Sequence, residues 1–326
     1  MAEIEYQSKD KERIDRFLAT LLNCSREKIQ KLLDENKINV NNRSAKKNYL
    51  LKPGDKIETF EDKIEKKELD TIAYFPLKLD IVKEKPDYLV INKPAGLIVH
   101  PLRSLKEKTL ATALLNFYPE ISAIGGSPPV GGQAASGGRN IGNPALAGQI
   151  NLRPGIVHRL DKEVSGLILV AKTQRAFDYF KEEFKKHRVQ KEYLTLVHGQ
   201  PTKKTGIINL ALIKKGAKTL LAKTASLEKI KDSWTEYEII KKFKDFSLLK
   251  VKIKTGRTHQ IRIHLKSINC PIVGDKEYKI KRQKIINLGR IFLHSYKLGF
   301  YDQSGEWQEY QSDLPKELKT FLQSLD

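Results

Sequence analysis

The sequence predicts an α+β protein: a small N-terminal unit, then a larger one built on a mixed, mostly antiparallel sheet. Three observations predict it. Alternating or wholly apolar runs at 166–171, 191–197, 234–240 and 247–253 read as strands. Few helical patterns separate them, the clearest being 174–187 with Phe177, Phe180 and Phe184 on one side. The strand–helix–strand rhythm of a doubly wound parallel sheet is therefore missing. Finally, the run EDKIEKKEL at 61–69 interrupts the chain as a charged linker.

These signals divide the chain into a small unit at 10–60, a linker at 61–76 and a large unit at 77–326. A length of 326 residues suits two domains. Within the large unit, 122–152 is rich in glycine and proline, with Arg139 its sole charge. Such a composition buries too little apolar surface to offset its ordering entropy, so a flexible insertion is expected.

Charge narrows the partners. Lys plus Arg number 60 against 39 Asp plus Glu, a formal net charge of +21. A polyanion is the natural complement to that field, and nucleic acid comes before a membrane surface. The first 16 residues alternate charges and do not read as a signal peptide. The most apolar run, Gly166–Ala171, is far too short to cross a bilayer. Cys24 and Cys270 are the only cysteines, so a disulfide framework is not indicated. A cytoplasmic monomer without membrane association is expected.

In the small unit, Asp10–Asn23 reads as a helix with Ile14, Phe17, Leu18 and Leu21 inward and Asp10 as its cap. Ser25–Asn36 reads as a second, with Ile29, Leu32 and Leu33 inward. A strand at 37–41 and a Lys52-Pro53-Gly54-Asp55 turn into a strand at 56–58 follow. This order resembles the S4 RNA-binding domain. The resemblance implies that the second helix and the loop beside it press on RNA phosphates, here with Arg26, Lys28, Lys31, Arg43, Lys46 and Lys47. Long basic side chains suit phosphate contacts, which supply affinity without reading sequence. Any one of them also fits a solvated helix face.

The large unit opens with apolar strands around Ile81–Val82 and Leu89–Asn92, a proline stop, and a short helix at 110–117. The chemistry is concentrated in RPGIVHRLDKEVSGLILVAK at 153–172. A Pro-Gly turn leads to a dense polar cluster, then to Ser-Gly and a buried strand. Asp161 lies among His158, Arg159 and Lys162, and positive neighbours favour an ionised carboxylate. Such a group can be a nucleophile or base, or simply half of a structural ion pair.

The string GIVHRLDK, followed by SGL and AK, resembles the signature of the RluA-type RNA pseudouridine synthases. The resemblance implies that Asp161 is the catalytic carboxylate and that Arg159 enters the RNA where the target base leaves, with His158 beside it on the RNA. Glu163 and Val164 stand where the family pattern has Asp and Thr. KEYLTLVHG at 191–199 is similar to a second family strand, which makes Tyr193 the active-site tyrosine. Its ring could stack on the base and its hydroxyl could join in proton transfer. TGRTHQIRIHL at 255–265 is similar to a third motif. By that match Arg257 pairs with Asp161, and Arg262 serves phosphate or structural contacts. PIVGD at 271–275 and RIFLHS at 290–295 also resemble family segments.

His259 and His264 do not share a helix face at their spacing, so no metal site is expected and both are read as structural. No glycine-rich phosphate loop follows a strand, and no cofactor is expected. The implied reaction turns a uridine out of its stack, breaks its glycosidic bond and rejoins the base through C5. Asp161 could add covalently or remove a ribose proton. The implied partner is 23S rRNA or a large-subunit precursor, with tRNA as the alternative substrate. A non-catalytic RNA-binding assembly factor and a nucleoside hydrolase or lyase are the other classes. Asp161, Tyr193 and Arg257 together argue against the first, and the S4-like start against the second.

Overall fold

A computed structural model describes residues 2–7, 11–22, 26–59, 77–101, 107–125, 153–215, 218–222, 233–280 and 286–325. The expected linker, nearly all of the 122–152 insertion, and the caps Asp10 and Ser25 lie outside these residues. The described chain forms two compact units, one before residue 60 and one from 77 onward.

The first unit runs β1 (Ala2–Glu5), β2 (Glu12–Arg13), α1 (Ile14–Leu21), α2 (Arg26–Asp34), β3 (Ile38–Val40), β4 (Arg43–Ser44), β5 (Leu50–Leu51) and β6 (Lys56–Thr59). Strand β6 lies between β1 and β3, and β2 pairs with β5. That last pairing holds residues 12–13 extended, so the first helix starts at Ile14, later than its apolar pattern suggests. Its core joins Ile14, Leu18, Ile29, Leu32, Leu33, Ile38 and Ile57. Leu21, expected inward, is exposed because α1 ends there. Gly54 turns at φ +86°, and Asp55 fixes the turn by accepting from the Lys52 backbone N–H (2.8 Å) and Asn41 Nδ2 (2.9 Å).

Arg26 has a partner that the sequence did not reveal. Its Nε donates to the fully buried Asp15 at 2.9 Å, beside Gln30 (2.6 Å) and Arg13 (3.0 Å). Burial alone would raise the Asp15 carboxyl, but the bonds from Arg26, Gln30 and Arg13 hold it at about 2. Arg26 thus ties α1 to α2, while Arg43 and Lys46 are exposed and Lys28 is half-buried. Lys31 forms a long surface pair with Glu35 (3.7 Å).

The second unit contains β7 (Ile81–Glu84), β8 (Tyr88–Lys93), α3 (Leu110–Phe117), β9 (Ser165–Ala171), α4 (Gln174–Lys185), β10 (Gln190–His198), β11 (Thr205–Asn209), β12 (Leu212–Lys215), β13 (Lys218–Leu221), β14 (Trp234–Lys242), β15 (Phe246–Ile253), α5 (Gln260–Ser267), β16 (Leu293–Tyr301), β17 (Trp307–Gln311) and α6 (Lys316–Gln323). Nine strands form one sheet in the order β11-β14-β15-β10-β16-β9-β8-β7, with β17 on β16. All its pairs are antiparallel except β16 with β9, as the strand pattern led one to expect. Strand β9 is buried at every position, which explains its unbroken apolar sequence.

Residue Gly166 makes the parallel junction possible. It lies at φ +116°, and a Cβ there would overlap the Ser295 carbonyl oxygen. The register is limited to His294↔Ser165 and Ser295↔Gly166. Beyond it, the residues before β9 fold back along β9 and bridge Ile156 to Val170.

Candidate active site

Asp161 sits in this folded-back segment, between the buried Leu160 and Val164. The Val164 N–H closes a turn onto the Asp161 carbonyl (3.1 Å), and the Gly96 N–H donates to the carbonyl of Lys162 (2.8 Å). Two anchored flanks hold the carboxylate, which remains 21% exposed.

Two side chains of the 257–264 segment reach it. Arg262 Nη1 and His259 Nε2 each lie 3.8 Å from Asp161 Oδ2. The guanidinium of Arg262 is held from the other side by Asp275, with Nε to Oδ2 at 2.7 Å and Nη2 to Oδ1 at 2.9 Å. That fork uses the Nε/Nη2 edge of the planar group and leaves Nη1 directed at Asp161. Asp275 is itself fixed by the backbone N–H groups of Glu277 and Tyr278, both at 2.9 Å. Gly274 before it lies at φ +82°, where a Cβ would strike the Arg290 carbonyl.

The expected pairing of Arg257 with Asp161 is not what the structure shows. Among the described residues, the guanidinium within ion-pair reach of Asp161 belongs to Arg262. Arg257 lies in the turn before α5, where its backbone N–H donates to Gln260 Oε1 (3.1 Å). Gln260 also accepts from Thr255 Oγ1 (2.7 Å) and donates to the Trp234 carbonyl (2.9 Å), which pins this turn to β14. The helix then presents positions 259 and 262, three apart, on one side.

His259 is also placed differently from the expectation that it is purely structural. It caps α5 in the left-handed region (φ 56°, ψ 20°) and faces Asp161. Its Nδ1 is 2.9 Å from Tyr278 Oη. His264 fits the structural reading: it is fully buried and bonded to Thr235 Oγ1 (2.9 Å) and the Leu210 carbonyl (2.9 Å).

His158, expected against RNA, supports the loop instead. Its Nε2 accepts the Leu169 N–H (2.8 Å) and its ring stacks on Phe184 (4.6 Å between centroids). Burial, with a smaller push from Lys191, lowers its imidazole to about 3, so it remains a neutral acceptor. Arg159, next in the chain, is exposed beside Asp161.

Tyr193 lies in β10 opposite Ser295. Burial, and then the charge of Asp161, raise its phenol above the ordinary value. It is a neutral phenol at neutral pH, suited to stacking rather than to acting as a base.

Two supporting groups escaped the sequence reading. Lys93 is fully buried beneath the loop, and its ammonium donates to the carbonyls of Pro94 (2.8 Å), Leu97 (2.8 Å) and Lys162 (3.3 Å). Burial lowers it to about 7. Arg290 donates to Ser165 Oγ at 2.6 Å, and that hydroxyl also meets His294 Nδ1 at 2.8 Å. These groups fix the junction of β9 and β16. The sequence marks Arg290 only as the first residue of the 290–295 segment, and Lys93 only as a charged residue closing an apolar run.

No group of three or more His, Cys, Asp or Glu among the described residues could hold a metal ion. No described helix is long and apolar enough to cross a membrane. The site is a carboxylate flanked by a fixed cation and an imidazole, with a buried tyrosine close enough to feel its charge.

The RNA pseudouridylate synthase family model matches residues 87–267, and the S4 domain model matches 12–57. The chain is 33% identical over 316 residues to an uncharacterized RNA pseudouridine synthase of Bacillus subtilis, covering 96% of this chain and 94% of that one. It is 30% identical over 321 residues to ribosomal large subunit pseudouridine synthase D of Nitrosomonas europaea, covering 96% and 84%. The fold is shared with human RNA pseudouridylate synthase domain containing 4, with a TM-score of 0.56 at 20% identity over 75% of this chain and 92% of that one. The chain belongs to the RNA pseudouridine synthase family, as an RluA-type member with an N-terminal S4 domain.

Proposed function

We propose that this synthase converts uridines of large-subunit rRNA to pseudouridine with Asp161 as its catalytic carboxylate. The observation that carries the site assignment is the Arg262 guanidinium, fixed by Asp275 and directed at Asp161 from 3.8 Å. A fixed cation favours the ionised carboxylate and limits its rotation before substrate arrives. The rRNA assignment draws on the relatives named for the large ribosomal subunit.

In this reading the target uridine leaves its stack, and the exposed Arg159 fills the space it vacates. Tyr193 offers a ring face to the base, at a neutral hydroxyl. Asp161 then attacks the sugar or removes a ribose proton, the N1–C1′ bond breaks, the base turns, and C5 joins C1′. Arg262 steadies the carboxylate throughout. Arg257, outside ion-pair reach of Asp161, is assigned to the RNA backbone. Lys28, Lys31, Arg43 and Lys46 supply phosphate contacts from the S4 unit.

The test is pseudouridine mapping of 23S rRNA and tRNA after incubation with the wild type or Asp161→Ala. Modification of 23S rRNA that disappears in the variant, with RNA binding retained, is expected. Modification by Asp161→Ala would overturn the catalytic assignment, and modification confined to tRNA would overturn the substrate.

A further inference from the structure

We infer that His259 is a catalytic base, taking the C5 proton of the target base through Nε2 after the new carbon–carbon bond has formed. The inference rests on the reading of Asp161 given above.

Geometry fixes which nitrogen is free. Tyr278 Oη donates to the Thr219 carbonyl (3.3 Å), so its oxygen accepts from His259 Nδ1 at 2.9 Å. The carboxylates of Glu277 (3.7 Å from Nδ1) and Asp161 (3.8 Å from Nε2) flank the ring almost equally, so the Tyr278 bond selects the tautomer. The neutral ring therefore carries its hydrogen on Nδ1 and turns an unprotonated Nε2 toward Asp161 Oδ2. The backbone of His259 is left-handed, a conformation a non-glycine residue adopts at some cost and one that directs the ring.

Position follows from the reaction. C5 must come within bonding distance of C1′, and Asp161 must already lie against that sugar. The C5 hydrogen is then close to Oδ2, and His259 Nε2 is 3.8 Å from the same oxygen. The ring is 22% exposed, so the cleft reaches it.

The chemistry balances. Once C1′ is joined to C5, that carbon is tetrahedral and N1 is doubly bonded to C6. Nε2 takes the C5 proton, the C–H electrons form the C5–C6 double bond, and the C6–N1 pair moves onto N1. N1 gains a proton from water, and the imidazolium returns its own to solvent.

Charge sorts the candidate bases. The phenol of Tyr193 is raised by burial and so stays protonated. Burial lowers the His259 imidazole, opposed by Asp161, helped by Arg262, and opposed again by Glu277 and Asp275. At neutral pH the ring is uncharged and ready to accept a proton, and the carboxylates of Asp161 and Glu277 steady the cation that forms.

The test uses RNA with deuterium at C5 of the target uridine and the full-length enzyme. Asparagine tolerates a left-handed backbone, so His259→Asn keeps the turn. Its turnover should fall by about 100-fold or more. An isotope effect on pseudouridine formation should appear where the wild type shows none, and added imidazole should restore part of the rate. An isotope effect of unity in the variant overturns the inference whatever its rate, as does a variant that is inactive and unresponsive to imidazole. Activity persisting in Asp161→Ala would sink the underlying reading, whereas a flat isotope effect in His259→Asn sinks the inference alone.

Discussion

Asp275 grips Arg262 through two parallel hydrogen bonds of 2.7 and 2.9 Å. The pair is buried, and it joins α5 to the loop after residue 271. Asp161 faces Nη1, the guanidinium nitrogen that Asp275 leaves open.

Asp275→Asn should therefore damage the site without touching Asp161. Arg262 then keeps only Glu277 (3.2 Å) and Asp161 (3.8 Å) as partners, so the cost should fall at the low end of that for a broken buried pair, about 3 kcal/mol. With its anchor gone, Arg262 no longer holds the carboxylate, and kcat should fall by about 10- to 100-fold. Chemical unfolding and single-turnover kinetics measure the two effects separately. Arg262→Lys should lose a comparable share of kcat, because an ammonium cannot span both carboxylates, while Arg257→Lys should mainly change KM. An Arg257 variant with the larger kcat loss would restore the pairing that the sequence suggested.

Gly166 tests the junction beneath the loop. Gly166→Ala meets both a left-handed backbone and the Ser295 carbonyl. Relief requires β16 and β9 to part, so a loss of about 3 kcal/mol or more is expected, with little activity left. Gly305 lies at φ +84° in open space, and Gly305→Ala should cost only about 1 kcal/mol. Equal losses in thermal melts of the two variants would show that conformation, not overlap, sets the requirement at 166.

These positions show what the sequence could and could not convey. Strand β9 was legible because a strand covered on both faces must be apolar throughout, and α4 because its phenylalanines recur at helical spacing. The start of α1 was not, because pairing between Glu12–Arg13 and Leu50–Leu51 overrides the local helical pattern. Asp161 stood out through its motif. Its partner was misassigned between two arginines five residues apart, since choosing Arg262 depends on Asp275, thirteen residues further on. The three-residue step from His259 to Arg262 was a usable signal, because such residues share a helix face. Lys93 gave no comparable signal: its burial depends on the Leu97 and Lys162 carbonyls closing over it.

Acid should unfold the large unit through three histidines. Burial lowers His100 and His294 to about 4 and His158 to about 3. Unfolded, each takes a proton as pH falls through about 6.5, whereas folded each resists until near its lowered value. The unfolded chain then binds more protons, so stability is full above about pH 6.5 and declines below it. For the fully buried His294 the loss by pH 4 is on the order of 3 kcal/mol. Urea midpoints at pH 7.5, 5.5 and 4.5 should fall in that order, and His294→Gln should flatten the slope. A midpoint independent of pH over this range would contradict the burial assigned to these rings.

The S4 unit can be tested through salt. Arg43 and Lys46 are exposed and close in sequence, and no described carboxylate pairs with either. If each neutralises one phosphate, Arg43→Ala with Lys46→Ala should weaken binding of rRNA fragments. The slope of log affinity against log salt should shrink by about 1.4, near 0.7 for each phosphate of single-stranded RNA that is no longer neutralised. Because phosphates carry no base information, affinity should fall similarly for cognate and unrelated RNA of equal length. Turnover at saturating RNA should be unchanged, since phosphate contacts supply affinity and not chemistry. An unchanged salt slope would remove both residues from the RNA surface.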